Sequence, residues 1–226
     1  MSAPTLARED VDFLSLLSEV NRRRLLEGST RAVFPAGSIA FHPEGPPASF
    51  LLEHGLARAY SSVPDGRQAT VTFFHARDLI GGVTLMGRPP RIHVQAVVDC
   101  TMATLDLETV RKLAMTEIEV TIAIGTHMAA RIRSSFQLIA VRSLGTIRER
   151  LAYDLLDRAC RSQLVVGRLD VRATHADLAD SIGSSREVVS RALRDLRAAS
   201  IVETAPGMVR VIDPMHLAAI VRAFVI

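Results

Sequence analysis

Apolar and polar positions alternate most regularly between Thr174 and Leu196, THADLADSIGSSREVVSRALRDL. With side chains 100° apart around a helix that starts at Arg186, Arg186, Glu187, Ser190, Arg191 and Arg194 share one arc of roughly 140°. Val188, Val189, Ala192, Leu193 and Leu196 fill the other side. Upstream, Thr174 with Asp177 reads as an N-cap and capping-box acid, and Leu178, Ala179 and Ile182 make an inner face. Gly183 can take the left-handed turn that ends this first helix, and Ser184 or Ser185 caps the second. The pattern predicts a helix-turn-helix whose second helix turns three guanidiniums, a carboxylate and a hydroxyl outward. A solvated surface helix would show the same amphipathy. The short glycine-hinged turn and the Arg-Glu pair at the helix start favour a reader of base edges, where arginine pairs with guanine and glutamate accepts from a cytosine amino group.

The rest of the chain has a different texture. Residues 12–27 predict a short helical prelude with Phe13, Leu16, Leu17, Val20 and Leu25 as its apolar positions. From Arg31 to Leu107 short β-type runs (VFPAGSIAF, SFLLEHGLARAYS, QATVTFF, HVQAVV, MATLDL) alternate with glycine turns, as in a sandwich or barrel. Pro64-Asp65-Gly66 predicts a hairpin between Ala57–Val63 and Gln68–Phe74. A helix over 109–141 follows, with Ile118, Ile122, Gly125, Ala129, Ile132, Phe136 and Ile139 at alternating steps of four and three. That stripe either packs on the chain's own β domain or forms a homodimer seam. A helix of about 33 residues spans about 50 Å and outreaches a small domain, which favours the homodimer. Thr146 and Glu149 form a capping box for a helix carrying Leu151, Leu155 and Leu156. Beyond the helix-turn-helix, Ile201–Thr204 and Met208–Ile212 flank Ala205-Pro206-Gly207 as a wing hairpin. Asp213-Pro214 then opens a last helix. The predicted division is residues 1–108, 109–145 and 146–226.

Composition narrows the picture without deciding it. The 226 residues carry a net charge of +3, which divides as +1 before Gly145 and +2 after it, so any field that attracts DNA is local. Cys100 and Cys160 are far apart and cannot supply a four-thiolate iron–sulfur cluster, and Cys100 reads as a buried small residue. No signal-peptide core and no apolar run of about 20 residues is present, so the expectation is a cytoplasmic protein without a membrane partner. The motifs of phosphate-binding loops, serine hydrolases, zinc proteases and dinucleotide folds are missing, which argues against an enzyme. Glu117 and Glu119 read as a solvated helix exterior, and no metal ligand set is predicted.

The order β-roll, long helix, winged helix resembles the CRP/FNR family of bacterial transcription regulators, from about Phe34 to Ile212. The resemblance is carried by FPAGSIAFHPEG, LLEHGLARAY, PDGRQATVTFF and DLIGG in the roll and by GSSREVVSRALRDL in the recognition helix. It implies an α+β fold: an antiparallel jelly roll like that of cyclic-nucleotide-binding domains, a dimerisation helix and a winged helix-turn-helix. It implies double-stranded DNA, a second copy of the chain and RNA polymerase as partners. Arg186, Glu187, Ser190 and Arg191 match base-contacting positions for a TGTGA-like half-site. Thr174, Ser185 and Arg194 are placed as phosphate contacts.

The effector pocket is where the match fails. By the same resemblance it would be lined by Gly81, Gly82, Val83, Leu85, Arg88, Arg91, Ser135 and Phe136. Glycine stands where the family's ribose-binding glutamate should be, and Arg91 falls one residue late, with Pro90 at the phosphate-binding position. A one-residue shift in a strand turns a side chain to the other face. The reading therefore argues against cyclic AMP and leaves the effector unnamed. Haem stays open through His75, His93 and His127, although a lone histidine is more often structural. Two rival readings remain: a haem or small-molecule sensor whose helical tail binds a protein, and a constitutive DNA binder with no effector.

Overall fold

The computed structural model describes residues 12–64, 68–88, 90–166 and 168–222. The predicted prelude is two pieces. A 3-10 turn, Phe13–Leu16, is capped by Asp12, and helix α1 (Glu19–Leu26) is capped by Ser18. Of its apolar positions Phe13, Leu17 and Leu25 are buried, while Val20 faces solvent.

Eight strands build the roll: β1 (Thr30–Phe34), β2 (Ile39–Phe41), β3 (Phe50–His54), β4 (Leu56–Ser62), β5 (Gln68–His75), β6 (Leu79–Ile80), β7 (His93–Ala96) and β8 (Cys100–Thr104). They form two four-stranded antiparallel sheets, β1-β8-β3-β6 and β2-β7-β4-β5. The β4–β5 hairpin forms as predicted, from Leu56↔His75 to Ser62↔Gln68, while Asp65 and Gly66 of its turn lie outside the described residues. Gly55 between β3 and β4 has φ +105°, and a Cβ there would stand 2.6 Å from the Asp99 carbonyl, so the corner requires glycine. Between the sheets, Phe41, Phe50, Leu52, Phe74, Ile80, Val94 and Met102 pack together. A short helix, α2 (Gly82–Met86), which no sequence signal predicted, follows β6.

The predicted long helix is broken. Helix α3 (Leu107–Thr116) and helix α4 (Ile118–Leu144) are separated by Glu117 in extended conformation. The Thr121 hydroxyl reaches back to the Ala114 carbonyl across the break. The break lets α3 and the start of α4 cover one core with the prelude, through Val110, Leu113, Val120 and Ile124. Glu117 and Glu119 are not a solvated exterior: Arg24 pairs with Glu117 at 2.8 Å, and Ser18 and Asn21 donate to Glu119. Every residue of the proposed seam from Ile118 to Ile139 lies outside the buried set, with Ile118, Ile122, Ile132, Phe136 and Ile139 all more than half exposed. The stripe does not pack on the chain's own roll.

Helix α5 (Ile147–Val166) begins at the predicted capping box, with the Thr146 N–H donating to Glu149 at 2.8 Å. Leu151, Leu155 and Leu156 are fully buried. The C-terminal core then gathers β9 (Asp170–Arg172), α6 (His175–Ile182), α7 (Arg186–Ala198), β10 (Val202–Ala205), β11 (Met208–Val211) and α8 (Pro214–Arg222). Strand β9, too short to register in the sequence pattern, completes a three-stranded wing in the order β10-β11-β9.

Candidate nucleic-acid interface

The two helices of the predicted motif are held by their ends. The Thr174 hydroxyl accepts from the Asp177 N–H at 3.1 Å, and the Asp177 carboxylate accepts from the Thr174 N–H at 2.8 Å. The Thr174 N–H, and then its hydroxyl, which donates to the same carboxylate at 2.8 Å, hold the Asp177 carboxyl below its ordinary range. Gly183 ends α6 at φ +62°, and Ser185 caps α7 by accepting from Val188 N–H. A side chain on any residue but glycine would strain that turn. Leu178, Ala179, Ile182, Val189, Leu193 and Leu196 are buried between the helices and α5. Val188, predicted on the apolar side, sits at its rim and is 38% exposed.

On the outer side Arg186, Glu187, Arg191 and Arg194 are exposed, as are Thr174 and Ser185. The Glu187 carboxyl is held low by its own backbone N–H and by the Ser185 hydroxyl, so it is anchored at the helix start with its charge outward. Ser190 is half-buried, and its hydroxyl lies 2.7 Å from Nδ1 of His175. His175 had no signal of its own in the sequence beyond following an N-cap. Arg150 of α5, also unsignalled, brings its guanidinium to 4.0 Å from where a Cβ on residue 183 would stand. The wing is tied to the recognition helix by Arg197, which donates to Thr204 at 3.4 Å, and across itself by the Arg210–Asp170 pair at 2.7 Å.

The predicted effector residues do not converge in the same way. Gly81 caps α2, and Gly82 and Leu85 are buried, but Val83, Arg88 and Arg91 face solvent. Helix α2 meets α4 at Met128, about two turns before Ser135 and Phe136. Ser135 bonds back to the Arg131 carbonyl at 3.1 Å, and Phe136 belongs to the exposed stripe.

Polar chemistry is concentrated at two other places in the sensor. Asp78, beside β6, accepts from the His75 N–H at 2.8 Å and pairs with Arg131 at 2.9 Å and His127 at 3.3 Å. Burial pushes its carboxyl up, yet His127, Arg131 and the His75 N–H outweigh that and hold it low. On the outer face of β4, Arg58 is fully buried against α5. It donates to Gln95 at 2.6 Å, Thr70 at 3.1 Å and Gln68 at 3.0 Å, and lies 3.6 Å from Asp157. Thr70 also bonds Asp157, Gln95 bonds the Cys160 carbonyl at 3.2 Å, and Gln163 bonds the Val97 carbonyl at 2.9 Å.

Two of the candidate haem histidines make contacts within the chain. His127 Nε2 meets the Leu79 N–H at 3.2 Å, and His93 stacks on Tyr60 at 4.8 Å. Cys100 and Cys160 are both buried. Among the described residues no group of three or more His, Cys, Asp and Glu side chains is placed to hold a metal ion, and no helix is long and apolar enough to cross a membrane.

Residues 31–117 match the model of the cyclic nucleotide-binding domain, and residues 149–220 match that of the Crp-like helix-turn-helix domain. The transcriptional regulator LdrP of Thermus thermophilus is 29% identical over 175 residues, covering 76% of this chain and 85% of that protein. The cyclic AMP receptor protein of the same species is 29% identical over 207 residues, covering 91% of this chain and 89% of that one. Among solved structures, a crp/fnr-family regulator from Eubacterium rectale aligns with a TM-score of 0.57 at 20% identity, covering 92% of this chain and 96% of that one. At that identity the likeness is one of fold.

Proposed function

Because the chain belongs to the CRP/FNR family of DNA-binding transcription regulators, we propose that it acts as a homodimer on a palindromic site with TGTGA-like half-sites. Arg186, Glu187, Ser190 and Arg191 read base edges in the major groove, and Thr174, Ser185 and Arg194 hold phosphates. The observation that carries this reading is the exposed polar arc of α7, set between two capped helix ends. The exposed stripe on α4 supports the pairing, since five large apolar side chains in a row are costly in water and match at heptad spacing on a second copy. Two helices related by a two-fold axis then enter successive major grooves, about 34 Å apart.

In this reading the roll modulates DNA affinity through a ligand other than cyclic AMP. Gly82 offers no carboxylate to a ribose, Arg88 and Arg91 point to solvent, and apolar side chains pack the space between the sheets. Loss of two charge-assisted bonds lowers affinity by roughly two to four powers of ten.

Binding-site selection with the purified chain, followed by sedimentation of the complex, tests the proposal. The expected result is a palindrome with half-sites one helical turn apart and two chains per site. Ile132→Asp, which places a charge in the seam, should sediment as a monomer and lose the palindrome. Selection of no sequence, or a variant that still pairs with unchanged affinity, refutes it. Calorimetry with micromolar cyclic AMP should show no binding, and tight binding would overturn the pocket assignment.

A further inference from the structure

Serine hydroxyls inside helices commonly turn back to the carbonyl four residues earlier. On α4 both Ser134 and Ser135 do so, each at 3.1 Å. Ser190 on α7 is drawn the other way, toward Nδ1 of His175 at 2.7 Å. His175 is the first residue of α6, directly after Thr174, whose reciprocal bonds with Asp177 fix the backbone there. A hydroxyl has one proton and two lone pairs, so a neighbour that takes the proton leaves it able only to accept.

We propose that His175 is a positioning residue for base readout. With its proton on Nε2, the ring accepts at Nδ1 the hydrogen bond that the Ser190 hydroxyl donates, so the hydroxyl faces the groove as an acceptor and selects a base edge carrying an amino group. Adenine N6 and cytosine N4 fit that demand, whereas guanine O6 and thymine O4 do not. The inference rests on the assignment of Ser190 as a base reader. Its content is separate: the preference at one base position is set by a residue on the other helix of the motif.

The test uses the full chain and the half-site obtained by selection. The base under Ser190 is the one whose preference collapses in Ser190→Ala. At that position adenine or cytosine should be favoured by roughly three- to tenfold, the worth of one net hydrogen bond. Replacing that base by an analogue without its exocyclic amino group should remove the advantage. His175→Ala should erase the preference at this position alone, and His175→Asn, whose Oδ1 takes the place of Nδ1, should restore it.

A preference for guanine or thymine there overturns the inference. So does a His175→Ala variant that weakens all sequences alike or keeps the preference, and so does a His175→Asn variant that restores nothing. A chain that selects no sequence at all fails earlier, at the proposed function. A chain that selects a site whose readout ignores Ser190 loses both that assignment and this one.

Discussion

Arginine serves opposite ends in two regions of this molecule. On the outer face of α7, Arg186, Arg191 and Arg194 stand exposed. Beneath α5, Arg58 is fully buried among Gln68, Thr70, Gln95 and Asp157, with its guanidinium 4.4 Å above the Tyr60 ring. An exposed guanidinium keeps its hydration until a partner arrives and contributes little to folding. A buried one has lost its water, so each donor depends on a protein acceptor, and removing a partner leaves an uncompensated charge. In the function proposed above, the first region is arranged for a ligand and the second for the orientation of two parts of the chain. The same residue type thus marks function in one place and architecture in the other, and burial separates them.

The sharpest way to break the contrast is at the buried end. Arg58→Ala should destabilise the protein by about 3–5 kcal/mol, the usual cost of orphaning one member of a buried pair, read as a fall in the urea midpoint. Arg58→Met together with Asp157→Leu should recover much of that loss, because an apolar replacement removes both charges. A single variant within about 0.5 kcal/mol of the parent would mean that the Arg58–Asp157 pair carries no more than a surface pair.

At the exposed end the effect should appear in binding and not in folding. Arg191→Ala should leave the urea midpoint in place and cost about 1–3 kcal/mol on the selected site, with relaxed base preference. Thr174→Ala should weaken specific and random DNA more evenly. Equal loss on both DNAs for Arg191→Ala would take that residue out of the base-reading set.

The smallest effect concerns pH. Asp78 has its carboxyl held below the ordinary value in the folded state. The stability it contributes is therefore complete above the ordinary carboxylate range near ~4 and is lost as pH falls through its lowered value. Unfolding midpoints measured from pH 7 down to pH 3 should fall more steeply for the parent than for Asp78→Asn. Parallel curves would show that His127 and Arg131 do not discriminate the charged form.

The two regions also differ in how far the sequence discloses them. Helix α7 is legible because its information is local: a 3.6-residue period, a glycine turn and serine or threonine caps lie within 23 consecutive residues. The roll strands are legible as short β runs between glycines. Arg58 is not, since LARAY alternates small, charged and aromatic residues and gives no sign that a distant helix covers the charged face. The break at Glu117 is hidden for the same reason. Nothing in MTEIEVTI stops a helix, and the interruption comes from tertiary packing with α1 on Glu117 and Glu119. Helix α2 opens on two glycines and runs five residues, too short for a period to register. His175 touches Ser190 across 15 residues of chain, a distance at which spacing carries no message.

Cys100 and Cys160 turn the fold into its own gauge. Both thiols are buried, one in β8 of the roll and one in α5, and burial pushes the Cys100 thiol up to about 11. Alkylation needs the thiolate and a path to it. An oxidant or a maleimide therefore meets neither sulfur while the chain is native, and the unfolded chain offers both. The rate of labelling at each cysteine measures how often its own part of the molecule opens, with no added probe.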